Sequence, residues 1–216
     1  MLRKACAILT VVLLCISCTN VSTTQFSTPK PTPTPDATFQ SLIQEYENRQ
    51  IYDKLTPDIL ATIPDENLVW AIWDYIWLKV GDDYADTDKI VSGLSVGIQA
   101  FYYIIILQGE VDNGGYNQYF FNSSGVYANK TLEAFKLIGA TELQQNLEKA
   151  ISIHLKEQDD PNLRNLYDEH TLESFLESYK YTTLNECDEE FYALEEKLSE
   201  YCIRFVRAYP ELFTGA

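Results

Sequence analysis

Twenty consecutive residues, Ile90–Gly109 (IVSGLSVGIQAFYYIIILQG), carry no charge. A run of that length either crosses a bilayer or lies at the centre of a folded core. Ser92, Ser95, Gln99, Gln108 and three glycines interrupt it, and the chain around it is strongly polar. The expected element is therefore a central buried helix, with Gly93 and Gly97 allowing a neighbouring helix to approach closely.

The surrounding sequence has no sustained period-2 alternation, and its apolar residues recur at helical spacing. Phe39, Leu42, Ile43 and Tyr46 follow the i, i+3, i+4, i+7 pattern. Thr56-Pro57 offers an N-cap followed by proline at the first helical position. Leu68–Val80 is apolar on most faces and stops at Gly81, a C-cap residue. Its Trp70, Trp73 and Trp77 form one stripe, read as core rather than as a ligand shelf. Lys130–Ile138 leads to Gly139, and Thr141 with Gln144 has the form of a capping box for a helix to about Glu157. Asp159-Asp160-Pro161 ends that helix, and Leu163, Leu166, Leu172, Phe175 and Leu176 suggest two short helices. Leu184, Cys187, Phe191, Leu194, Leu198, Tyr201 or Cys202, and Phe205 alternate three and four apart on one stripe, with Thr183 and Glu186 capping its start. With 46% hydrophobic and 13% aromatic residues in a chain of 216, one well-buried core is expected. The fold class that follows is all-α, a single compact multi-helix domain over residues 39–216.

The N-terminus reads differently. Arg3 and Lys4 precede an apolar run, Ala5–Ile16, too short to span a bilayer comfortably. It closes in Cys15-Ile16-Ser17-Cys18, which resembles the lipobox of bacterial lipoproteins, with Cys15 where leucine is usual. The expectation is a signal peptide over residues 1–17 and lipidation of the Cys18 thiol, with the mature protein anchored in the bacterial cell envelope on the extracytoplasmic side. Residues 18–38 are rich in Ser, Thr and Pro. Extended at ~3.1 Å per residue, a twenty-residue tether of this kind reaches roughly 60 Å.

Acids outnumber bases 32 to 16, for a formal charge of −16 and a sequence pI of about 4.4. Such a surface repels nucleic acid and anionic lipid, and it serves basic partners, cations, or nothing more than solubility. Catalytic and metal chemistry find little support. The two histidines, His154 and His170, lie in separate segments and read as a packed residue and a connector residue. No nucleophile-elbow, zincin or phosphate-loop motif occurs. Asp82, Asp83, Asp86 and Asp88 lack the EF-hand glycine and terminal glutamate. Cys187 and Cys202, placed on one helix, would be ~22 Å apart, beyond disulfide reach, and are expected as free core thiols. No metal, cofactor or catalytic residue is assigned. Asn122-Ser123-Ser124 and Asn129-Lys130-Thr131 match the glycosylation sequon by chance in a bacterial-type lipoprotein.

One stretch is more specific. Residues 109–125, GEVDNGGYNQYFFNSSG, place two acids before Asn-Gly-Gly and then three aromatics among amides. Glu110-Val111-Asp112-Asn113-Gly114-Gly115-Tyr116, Gln118-Tyr119-Phe120 and Asn122-Ser123-Ser124-Gly125 resemble the signature of the acidic DNA-mimic protein family. Thr131-Leu132-Glu133-Ala134, Ile138-Gly139-Ala140 and Asp188-Glu189-Glu190-Phe191-Tyr192 extend the resemblance over about Asp65–Ala208. Asp112 and Tyr116 stand where family members often have Asn and Phe. The resemblance implies a compact all-α domain whose carboxylates imitate DNA phosphates toward a basic DNA-binding protein. Carboxylates at i, i+3 and i+4 of a helix do lie about 5–6 Å apart at Cβ.

Three functions follow as expectations, the third being a purely structural or immunity-type module that binds one cognate protein without turnover. In the first, a lipid-anchored acidic binding domain engages a basic protein, with Glu186, Glu189, Glu190, Glu195, Glu196 and Glu200 as the contact face and no direct nucleic-acid binding. In the second, the protein is an envelope hydrolase using Glu110 and Asp112, with Asn113 and Tyr116 around a pocket. The fold-based reading of the 109–125 stretch is a reversal after the central helix. There Asn113, Gln118 and Asn122 would satisfy turn backbone groups, while Tyr116, Tyr119 and Phe120 drive the next helix into the core.

Overall fold

The computed structural model describes residues 37–82 and 84–214, so the signal, the lipidation site at Cys18 and nearly all of the tether lie outside the described residues. The chain divides into two units at Ile51/Tyr52. In the first, α1 (Ala37–Glu47) covers the Phe39–Tyr46 periodicity. Just beyond its end, the Arg49 guanidinium stacks on the Tyr46 ring at 3.6 Å.

The second unit is all-α among its described residues. α2 (Pro57–Thr62) starts as its sequence predicts: Thr56 Oγ1 accepts from the Ile59 amide, and Pro57 occupies the first helical position. α3 (Asp65–Val80) stops at Gly81, whose φ of 74° is the left-handed conformation that favours glycine. α4 (Thr87–Ser92) precedes α5 (Val96–Phe121), the long central helix. α6 (Ala128–Ile138) ends at left-handed Gly139, and α7 (Thr141–Glu157) follows. α8 (Pro161–Glu169) is capped by the Asp160 side chain, and α9 (Leu172–Ser178) by a reciprocal Thr171–Ser174 box. α10 (Asn185–Tyr192) and α11 (Glu195–Ala208) lead to a final 3-10 turn, Pro210–Phe213. The core forms around α5, which packs against α3, α4, α6, α9, α10 and that C-terminal turn. Ile98, Phe101, Ile104, Leu107 and Val111 are at most 1% exposed.

Several expectations are corrected. The uncharged run is not one helix: Gly93 ends α4, and the central helix begins at Val96. A Cβ at Gly97 would lie 2.7 Å from the Leu212 carbonyl oxygen and 2.9 Å from the Phe213 ring. The close neighbour is thus the C-terminal turn, not a helix, and Gly93 meets only its own preceding turn. No helix among the described residues is long and apolar enough to cross a membrane. The tryptophan stripe is half outside: Trp70 is 47% exposed and Trp73 and Trp77 are half-buried, while Leu68, Ile72 and Ile76 of the same helix are fully buried.

The last apolar stripe is correct, but it runs over two helices. Ala193 and Leu194 break the segment, and the acidic pair Glu195-Glu196 opens α11, where the helix dipole favours negative charge. Cys187 and Cys202 are free and buried, on separate helices. The two expected capping boxes are not formed. α7 starts after Ala140 with no side-chain cap, and the Gln144 amide donates to Glu148 instead. The Thr183 amide and hydroxyl both donate to Glu157 at the end of α7, which ties that end to the chain before α10.

Candidate functional site

The Asn-Gly-Gly stretch does not reverse the chain. It interrupts α5, whose backbone leaves helical geometry at Gly114 (φ −164°, ψ 27°) and Gly115 (φ 69°, ψ −177°) before helix resumes at Tyr116. Such an interruption orphans backbone groups that a continuous helix would pair. Three side chains from the last third of the chain take them up. The Tyr192 hydroxyl donates to the Val111 carbonyl (2.9 Å) and the Tyr179 hydroxyl to the Gly114 carbonyl (2.6 Å). The Tyr116 amide donates to Asp188 Oδ1 (2.7 Å), so Asp188 caps the second half of α5 from 72 residues away. Burial raises the Asp188 carboxyl above its ordinary range, and the bond from the Tyr116 amide opposes that rise. Glycine is required at 115 on two counts: its φ is left-handed, and a Cβ would sit 2.4 Å from the Asp188 carboxylate.

The motif's polar side chains form a closed network. Glu110 accepts from Gln118 (2.7 Å), Asn122 (2.8 Å) and Ser124 (2.6 Å), and Asn113 donates to Gln118 Oε1 (2.8 Å). Asn113, Gln118 and Asn122 therefore serve side chains, above all the Glu110 carboxylate, not turn backbone groups as expected. Fully buried Tyr116 donates through its hydroxyl to Asn146 (2.6 Å), whose amide donates to the Cys187 carbonyl (3.0 Å) and to Glu190 (3.2 Å). Buried Asn117 donates to Ser178 (2.8 Å) and accepts from Tyr167 (2.9 Å). Tyr119 is fully buried beside Thr131, whereas Phe120 is half-buried and stacks on His154 at 4.2 Å. Burial lowers that imidazole from 6.5 to about 4. His170, at the junction of α8 and α9, stacks likewise on Phe121.

Glu110 and Asp112 are two positions apart on a helix, hence about 200° apart around its axis. Glu110 faces the 3-10 turn Ser123–Tyr127, while Asp112 faces Glu195. Crowding by its surroundings, and Glu195 next, raise the Asp112 carboxyl from 3.8 to about 6, although its side chain stays exposed. The two acids share no cleft, and both Glu110 oxygens are already occupied by donors. An open groove of about 440 Å³ lies elsewhere, lined by Ile153, Lys156, Glu157, Asp160, Leu163, Tyr181 and Thr183. Among the described residues no three His, Cys, Asp or Glu side chains are grouped to hold a metal. Asp83 lies outside the described residues, and Asp88 accepts a hydrogen bond from Tyr127.

The six glutamates of the expected contact face are spread over α10 and α11. Glu186 and Glu190 share Lys149 at 3.4 and 2.7 Å, which with Asn146 holds the Glu190 carboxyl below its ordinary range. Glu195 accepts from Gln108 (3.1 Å). Glu189, Glu196 and Glu200 are exposed. The wider surface is more acidic than that set alone: residues 157–200 hold 14 acids against 3 bases. After Ile51 the chain has 29 acids against 12 bases, a formal charge of −17.

Sequence reasoning missed Asp188, Tyr179, Tyr192, Asn117 and Asn146 as builders of the motif's surroundings. Asp188 carried a signal, lying in an Asp-Glu-Glu-Phe-Tyr run that resembles the family, yet nothing local links it to Gly115.

These features define an acidic, all-helical protein organised around a glycine-broken central helix. Within that class it belongs to the DMP19-like protein family, whose model matches residues 92–209, from the end of α4 through α11. Comparison with curated proteins and with solved structures gives no match.

Proposed function

We propose that this protein is a lipid-anchored binding domain that occupies a basic protein partner with its surface carboxylates, as a DNA mimic does. The observation that carries the reading is the charge distribution: 14 acids and 3 bases between residues 157 and 200, on helices that expose most of them. Membership of the DMP19-like family supports the same reading. Carboxylates in helical rows displace counterions from a basic groove much as a phosphate backbone does, so association should weaken steeply with salt.

Within α10 and α11, Glu189, Glu196 and Glu200 are the members of the contact face best placed to meet a partner, because Glu186 and Glu190 already hold Lys149. The Cys18 lipid and the tether after it would hold the domain on the extracytoplasmic side of the envelope. The partner is then a basic protein of that compartment, and no nucleic acid is bound directly.

Binding of poly-lysine to the domain, followed by calorimetry, tests the electrostatic core of the reading. Raising salt from 50 to 200 mM should weaken binding by ~10-fold or more, and Glu189→Lys with Glu196→Lys and Glu200→Lys should weaken it further. Salt-independent binding, or full binding by the triple variant, ends the proposal. The anchor has its own test: labelled fatty acid should enter the wild-type protein and not Cys18→Ser.

A further inference from the structure

Helix α9 is turned inside out. It buries Ser174 and Ser178, at 2% and 0% exposure, and leaves Leu172 and Leu176 at 73% and 59%. At 100° per residue, Leu172 and Leu176 lie opposite the two serines, so a half-turn of the helix would exchange the faces. Specific bonds prevent that half-turn. The Ser178 hydroxyl accepts from Asn117 (2.8 Å) and donates to the Phe175 carbonyl (2.6 Å). Thr171 and Ser174 cap one another, and the Tyr179 hydroxyl reaches the Gly114 carbonyl. The polar network of the broken helix thus fixes a register in which two leucines, i and i+4, form a ridge in water. Two leucines held outward by buried hydrogen bonds present an apolar surface that a partner can cover.

Its borders indicate what it contacts. Glu173 and Glu177 flank the ridge on α9, and Asp168 and Glu169 end the preceding helix. The adjacent cation, Lys180, is tied to Glu177 at 2.6 Å. A second copy of this chain is disfavoured as occupant, because two units with 29 acids and 12 bases each repel one another. We infer that the Leu172–Leu176 ridge docks the apolar face of a basic amphipathic helix in the protein partner, whose lysines or arginines meet the flanking carboxylates. Charge alone would accept any polycation, whereas the ridge selects partners whose basic residues alternate with apolar ones at helical spacing. This inference rests on the basic-partner reading above and adds the selectivity that reading lacks.

Two labelled peptides of equal composition test it by fluorescence anisotropy. One is a Leu/Lys helix of about five turns with its leucines on one face, and the other is a scramble with leucines all round. Wild type should bind the amphipathic peptide at least ~10-fold tighter than the scramble. Leu172→Ser with Leu176→Ser should erase that ratio and leave scramble affinity within about twofold, with thermal stability unchanged because both leucines are already exposed. Equal affinity of wild type for the two peptides, or an undiminished ratio in the double variant, overturns the ridge while the charge reading stands. Absence of binding by either peptide at low salt overturns both.

Discussion

The stretch from Val96 to Ile138 and the stretch from Glu157 to Glu200 use polar residues in opposite ways. The first carries three acids and two bases, and its Glu110 and Asn117 are matched inside the fold. The second carries 14 acids and 3 bases and turns most of them to solvent. Satisfied buried networks rigidify and specify a structure, whereas exposed charges contribute little to stability and much to association. On the reading proposed above, fold and recognition fall to different parts of one chain. Among the contacts that join the two is Asp188, an acid of the second stretch used as a structural cap for the first.

The largest expected effect strikes that contact. Gly115→Ala places a Cβ in a left-handed conformation and against the Asp188 carboxylate. It should cost about 3 kcal/mol in denaturant unfolding, from backbone strain of about 1–2 kcal/mol and loss of a partly buried, charge-assisted hydrogen bond. Gly139→Ala has a similar φ of 74° and no atom within 4 Å of the added Cβ, so it should cost only about 1–2 kcal/mol. Equal losses would mean that Asp188 is not essential to the break.

A smaller effect is expected from Arg207, which donates to the Leu60 and Ile63 carbonyls and to Asp65 (2.6 and 2.9 Å), fastening α11 to α2 and α3. Arg207→Met should cost about 1–2 kcal/mol, chiefly from the orphaned carbonyls. Lowering of stability by less than 0.5 kcal/mol would show the clamp to be dispensable.

Stability against pH separates two groups with opposite signs. His154 falls from 6.5 to about 4 on folding, so the unfolded chain binds more protons in that window and stability drops as pH falls through it. Asp112 rises from 3.8 to about 6, so the folded chain binds more protons and stability drops as pH rises from about 4 to 6. His154→Phe should flatten the acid-side loss while keeping a ring on Phe120, and Asp112→Asn should flatten the opposing slope. Unchanged pH profiles by thermal melts would contradict both assignments. The smallest effect on folding belongs to the acidic shell: Glu189→Gln with Glu196→Gln and Glu200→Gln should move stability by no more than about 0.5 kcal/mol per site, with any shift upward because net charge falls.

Features that depend on neighbouring residues were readable in the sequence. Thr56-Pro57, Gly81, Gly139 and Asp160-Pro161 mark helix ends through their own backbone and side-chain chemistry, and all four do so in the structure. The apolar stripe from Leu184 to Phe205 was equally plain because burial follows spacing. The break between α10 and α11 was not, since spacing stays in phase across Ala193-Leu194. The Asn-Gly-Gly stretch looked like a turn because glycine pairs usually make turns; a helix resumes here because Asp188 supplies the missing cap. The outward leucines of α9 were hidden for the same reason, as Asn117 and Gly114 hold the register from 61 and 65 residues away. Nonlocal hydrogen bonds decided the last two of these cases.

The cap at Tyr116 also has a consequence in time. Asp188 is made 72 residues after Tyr116, which at ordinary translation rates of about 5–20 residues per second is a delay of about 4–14 s. Throughout that interval the nascent chain holds its most apolar helix with a gap that its own later residues must close. A chain cut off before α10 would therefore carry an unfinished core.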